Sequence, residues 1–102
     1  MRLDETFITT ATVEQAVIEP SKFYPGENNL MIVFLDAENK KYYYRRRLAD
    51  NQRRFLIKDL ENLGYNCSGA ILEEIVERLN TEKPDARLEI GKYVNILPKE
   101  VA

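Results

Sequence analysis

Lys41, Tyr43, Arg45 and Arg47 alternate with Tyr42, Tyr44 and Arg46 along one run, Lys41–Leu48. In a β-strand successive side chains point to opposite faces, so each set shares a face. Leu48 sets the inward parity, which turns Tyr42, Tyr44 and Arg46 toward the core. The other row, cation–ring–cation–cation, then faces out. Such a row suits single-stranded nucleic acid: cations meet phosphates and the ring meets the π face of a base. A single bulge would exchange the two sets. Compatible residues lie elsewhere. Lys22, Phe23 and Tyr24 precede Pro25-Gly26, and Lys92 adjoins Tyr93. Arg53 and Arg54 fall in the first turn of an expected helix, where cations oppose the dipole and a phosphate would relieve them. Phe34 shares parity with Asp36, read as exposed, which predicts a second stacking ring. The expected contact set is therefore Lys41, Tyr43, Arg45, Arg47, Phe34, Tyr24, Lys92, Arg53 and Arg54. Each also has a plainer reading. The tyrosines and Phe34 suit a sheet core, Phe23 and Tyr24 could plug the end of a barrel, and arginines guard edge strands against aggregation.

Composition removes most other chemistry. The chain has 102 residues, enough for one domain spanning residues 1–102, with frayed ends expected at 1–5 and 99–102. It contains no His, which excludes imidazole catalysis and His-ligated metal. Cys67 is its lone cysteine, expected as a small packing residue at a helix entrance. Ser21 and Ser68 are its only serines, and neither sits in a nucleophile motif. The glycines at 26, 64, 69 and 91 build no phosphate-binding loop. No cofactor, no metal and no enzymatic activity are expected. Glu73, Glu74 and Glu77 read as a solvated helix face. The longest apolar run is Leu30–Leu35, far below the length of a membrane span. Met1–Glu5 lack the apolar core of a secretory leader, so a cytoplasmic protein without membrane association is expected. Net charge is −2, but between Lys40 and Arg54 seven cations meet only Asp50, a local charge of +6. At physiological salt charges beyond about 8 Å are screened, so a basic patch can act on an acidic protein.

The elements follow from periodicity. Thr6–Glu19 is dense in β-branched residues, with Phe7, Thr9, Ala11, Val13 and Val17 on one parity; it reads as a long strand ended by Pro20. Ser21–Asn29 is loop. Leu30–Asp36 reads as a strand covered on both faces or nearly so, hairpin-paired through Ala37–Lys40 to Lys41–Leu48. Asp50 or Asn51 can cap a helix carrying Leu56, Leu60 and Leu63, widened by Phe55 and closed by Gly64. A second helix is expected from Ser68, with Leu72, Ile75, Val76 and Leu79 as its apolar stripe. Arg87–Ile90 and Tyr93–Ile96 are strands. Gly91-Lys92 between them suits a hairpin with glycine at positive φ, or a bulge in one continuous strand.

Three strands, two helices and two strands give a mainly β chain with a helical insert. The expected fold is an OB-fold-like five-stranded barrel, a partly open architecture that binds ligands across strands 2 and 3. A ferredoxin-like or generic α+β sandwich is the alternative. In Leu30–Asp36, Lys41–Leu48, the Arg53–Gly64 helix, Arg87–Ile90 and Tyr93–Pro98 the chain resembles the small OB-fold single-stranded DNA-binding proteins of phages and prophages. The resemblance covers about two thirds of the sequence as a pattern of elements rather than a signature motif. It implies non-catalytic binding of single-stranded DNA in DNA replication or recombination; RNA is the other partner that the cation–ring row itself suits. It also implies a homodimer and contact with a phage or host replication protein. DNA contact would fall to Tyr43, Arg45, Arg47 and Phe34. Many such proteins carry an acidic tail that recruits partners; this chain ends Pro98-Lys99-Glu100-Val101-Ala102, so recruitment by such a tail is not expected. The competing reading is a small accessory or inhibitory protein that binds another protein through the basic strand or the acidic helical side.

Overall fold

The computed structural model describes residues 5–99; most of the ends expected to fray lie outside that range. Five strands form one antiparallel sheet: β1 (Phe7–Pro20), β2 (Asn28–Asp36), β3 (Lys41–Arg47), β4 (Asp85–Ile90) and β5 (Val94–Leu97). A 3₁₀ turn, Asp50–Gln52, leads into α1 (Arg53–Asn62), and α2 (Leu72–Glu82) follows. The spatial order is β3-β2-β1-β4-β5. No helix separates the first two strands, which removes the ferredoxin-like alternative. The long β1 pairs with β4 through its first half and with β2 through its second. The edge strands β3 and β5 approach within 8 Å between Cα atoms but share no ladder. Among the described residues no helix is long and apolar enough to cross a membrane.

The parity of β3 is as expected. Its register with β2 runs without a shift from Leu35↔Lys41 to Asn29↔Arg47. Tyr42 and Tyr44 are buried; Lys41, Tyr43 and Arg45 are exposed. The bulge lies in β1 instead, between Val13 and Gln15, so Ala16 and Ile18, not Val17, continue the inward row after Val13. Asn80 of α2 supports that strand. Its amide accepts from Ala16 N–H and donates to Ala16 C=O, both at 2.8 Å, as a neighbouring strand would.

The core forms where the inward rows of the sheet meet Leu60, Leu63, Ile75 and Leu79 of the helical segment. Tyr44 Oη donates to Asp59 Oδ2 of α1 at 2.5 Å, and Arg46 Nη2 donates to the same oxygen at 3.0 Å. This ties α1 to β3. Tyr65 Oη donates to Glu82 Oε1 at 3.0 Å, and Arg78 Nε donates to Glu82 Oε2 at 2.9 Å.

Burial, then the neighbouring Glu82 carboxylate, pushes the Tyr65 phenol up to about 12. Burial and Asp59 push Tyr44 up as well. An unfolded tyrosine ionises near 10. Both phenols are thus held protonated in the native state, and the stabilisation is fully present below about pH 10. It is lost as pH rises from there through the folded values. Denaturant midpoints measured at pH 9, 10, 11 and 12 should fall progressively above about pH 10. In Tyr44→Phe and Tyr65→Phe the decline should be shallower; an unchanged slope in both would contradict this account.

Four local expectations need correction. The helix has no Asp50 or Asn51 side-chain cap: Ala49 precedes the 3₁₀ turn, and Gln52 precedes α1 without capping it. Phe55 lies outside the apolar stripe, 43% exposed, between the guanidinium groups of Arg46 and Arg54 at 5.7 and 5.0 Å. Residues 68–71 do not start α2. Gly69 holds a left-handed turn there, at φ +69, and the helix begins at Leu72. The β4–β5 connection is a hairpin, but Gly91 is not at positive φ. A Cβ on Gly91 would sit 2.7 Å from Thr6 Cγ2, so close approach is what glycine provides.

Candidate nucleic-acid interface

The outer row of β3 reads Lys41, Tyr43, Arg45, Arg47, and its cross-strand neighbours on β2 are Leu35, Val33, Met31 and Asn29. On β1 the row continues with Gln15, Val17 and Glu19. A floor of Val17, Met31, Val33 and Leu35 thus lies beside the cation–ring row. Strand periodicity alone does not mark these aliphatic residues as part of the site. Their signal was the unbroken apolar run of β2, which has hydrophobic residues on both parities. Tyr43 is 49% exposed, and the Arg45 guanidinium lies 5.7 Å from its ring centroid.

Two loops bracket β3 at opposite ends. Residues 21–27 stand at the Arg47 end, where Leu48 N–H donates to Asn28 C=O at 2.8 Å. Ser21 Oγ accepts from the N–H groups of Phe23 and Tyr24, and Gly26 turns the chain at φ +84. This fixes Tyr24 beneath Arg47, whose guanidinium lies 4.0 Å from the ring centroid. Phe23 projects freely at 86% exposure. A concavity of about 310 Å³ opens there, lined by Glu19, Pro20, Lys22, Phe23, Asn29 and Arg45. At the other end, Phe7 pairs with Ile90 and its ring meets that of Tyr42 edge-on at 6.4 Å between centroids. The turn 91–93, with exposed Lys92 and Tyr93, therefore stands toward the Lys41 end.

The electrostatics differ from the +6 of the sequence segment. Lys41 Nζ lies 3.6 Å from Glu14, Arg45 Nε 3.1 Å from Glu19, and Arg47 Nε 3.4 Å from Glu27. The carboxylates come from β1 and the 21–27 loop, not from the acidic helix. Each outward cation of the row thus has a protein partner. The Arg47–Glu27 pair is the more buried, with side chains 23% and 37% exposed; the more exposed Lys41 and Arg45 pairs contribute only about 0–1 kcal/mol each. A phosphate can replace such a carboxylate at little cost. Among the described residues Lys22, Lys92, Arg53 and Arg54 form no ion pair.

Of the expected contact residues, the structure brings Lys41, Tyr43, Arg45 and Arg47 together on one exposed strand face, with Tyr24 at one end. Lys92 lies toward the other. Arg53 and Arg54 are exposed in the first turn of α1, and Arg53 shares a cleft with Arg47. Phe34 does not belong to this set. It is fully buried, opposite Tyr42 and Val13 in the ladders, and has no free face for a base. Cys67 is half-buried; burial, then the nearby Glu61 charge, pushes its thiol up, so it is not an activated nucleophile. Among the described residues no three Cys, Asp or Glu side chains cluster in a way that could hold a metal ion. No family model matches this chain, and no curated protein is significantly similar to it.

Proposed function

We propose that the sheet is a partly open OB-type barrel and that the chain binds single-stranded DNA, without catalysis, across the outer face of β2 and β3. The observation that carries this reading is the row Lys41, Tyr43, Arg45, Arg47 beside an aliphatic floor, bracketed at both ends by loops bearing exposed aromatics and cations. Strand order and the proximity of edge strands β3 and β5 support the fold assignment. In that fold oligonucleotides lie across this same face between the β1–β2 and β4–β5 loops. Tyr43, Phe23 and Tyr93 offer stacking surfaces; Arg45, Arg47 and Lys41 exchange their carboxylates for phosphates. Contacts of that kind tolerate any base and also admit RNA.

The ion pairs supply the test. Glu19→Gln and Glu27→Gln release Arg45 and Arg47 from internal partners. Glu19→Gln should strengthen binding of a fluorescein-labelled oligo(dT), read by anisotropy, by up to about fivefold, the equivalent of one exposed ion pair, and Glu27→Gln should act in the same direction. Unchanged or weaker binding in both variants would remove the phosphate role of this row. The second reading, an accessory or inhibitory module for a protein partner, is favoured by one observation: the row is already charge-neutral. It predicts no oligonucleotide binding by any of these proteins.

A further inference from the structure

We propose that the concavity beside the 21–27 loop is a base-selective subsite that takes one unstacked guanine of the bound strand. The inference rests on the single-strand reading and adds to it: the β3 row accepts any base, whereas this pocket selects at one position. Its volume of about 310 Å³ lies near the lower end for small-ligand sites and suits a single nucleoside. Arg45 belongs both to the row and to the lining. A strand whose phosphate meets Arg45 therefore carries a base at the mouth of the pocket. Phe23, also in the lining, is 86% exposed and gives that base an open stacking wall.

The polar groups of the lining choose among the bases. Lys22 is exposed, and its ammonium has no partner among the described residues. The side-chain amide of Asn29 is half-buried and equally without a partner among them. Glu19 Oε1 accepts from Arg45 Nε at 3.1 Å, and no described group donates to its Oε2. The pocket thus offers one free cation, one free amide and one carboxylate edge. Guanine presents two adjacent acceptors, N7 and O6, and contact of a Lys or Arg with that pair is the commonest specific base contact. Its neighbouring edge carries two donors, N1–H and the N2 amine, which match a carboxylate. Adenine sets an amine beside N7, against the Lys22 ammonium, and cytosine sets one at N4. Thymine meets the cation and the carboxylate through one atom each. Guanine meets each through two, and the Asn29 amide, donor and acceptor at once, can complete either edge.

Anisotropy of short labelled oligo(dT) strands, unmodified or with one central dG, dA or dC, tests the inference. The dG strand should bind at least about fivefold tighter than the others, the low end for one bidentate base contact. A central 7-deazaguanine, which lacks the N7 acceptor, should lose most of that advantage. Lys22→Met should level the affinities of the dG and dT strands, a ratio from which any general loss of charge cancels. Circular dichroism will show that the variant is folded. Equal affinity of the wild-type chain for all the strands would overturn the pocket and leave the row reading intact. So would a dG preference that survives Lys22→Met unchanged. Absence of binding to every strand at low salt would instead remove the single-strand reading, and the pocket with it.

Discussion

Phe34→Ala should destabilise the protein by about 3–5 kcal/mol, the range for truncating a fully buried aromatic ring. The ring is 0% exposed, and its ladder neighbours Val13 and Tyr42 belong to the same core. The loss combines the transfer energy of the ring with the cavity that it leaves. Domains of this size have a total stability of about 5–15 kcal/mol, so the variant should unfold at much lower urea concentration. Equilibrium urea denaturation followed by far-ultraviolet circular dichroism measures it. A loss below about 1 kcal/mol would mean that the ring is not the core element described here.

Tyr43→Ala has the opposite profile. The ring is 49% exposed, so stability should change by no more than about 0.5 kcal/mol. Single-strand affinity should fall about 5- to 150-fold, the equivalent of the 1–3 kcal/mol contributed by one base–aromatic stack. Tyr43→Phe keeps the stacking face and should retain most of the affinity. If Tyr43→Ala binds as the wild type does, the β3 ring is not a stacking platform. If it unfolds, its exposed position is not what the structure describes. A buried ring and an exposed ring on one hairpin thus have opposite expected profiles.

The two rings also show where the sequence was legible. The parity of β3 could be read because polar and apolar residues alternate there and no bulge interrupts the β2–β3 hairpin. On β2 the run Leu30–Leu35 is apolar on both parities, so only Asp36 offered an orientation. That anchor misled. The Asp36 carboxylate folds back over the turn, accepting from Glu38 and Lys40 N–H and from the Tyr42 hydroxyl. Its polarity reports a turn, not an outward strand face. The same hydrogen bonds, led by the one from Lys40, hold its carboxyl below the usual range.

Other features depend on distance along the chain. The partners of Lys41, Arg45 and Arg47 lie 20 or more residues away, and nothing local in the sequence marks Glu14, Glu19 or Glu27 as their neighbours. A basic run therefore looked more positive than the folded surface is. The bulge at Glu14 carries no glycine or proline; an amide from α2, 64 residues distant, supports the adjoining strand. By contrast Leu60, Leu63, Ile75 and Leu79 were legible from helical spacing alone, and Gly64 takes its expected left-handed position at φ +100.

The most direct test of the central reading is the anisotropy of labelled oligo(dT) titrated with the wild-type chain at several salt concentrations, beside a duplex of equal length. The account predicts saturable binding that prefers the single strand. It also predicts a log–log salt slope of about −2, the value for three phosphates met by Lys41, Arg45 and Arg47. Absence of binding at low salt, or equal affinity for the duplex, would contradict it.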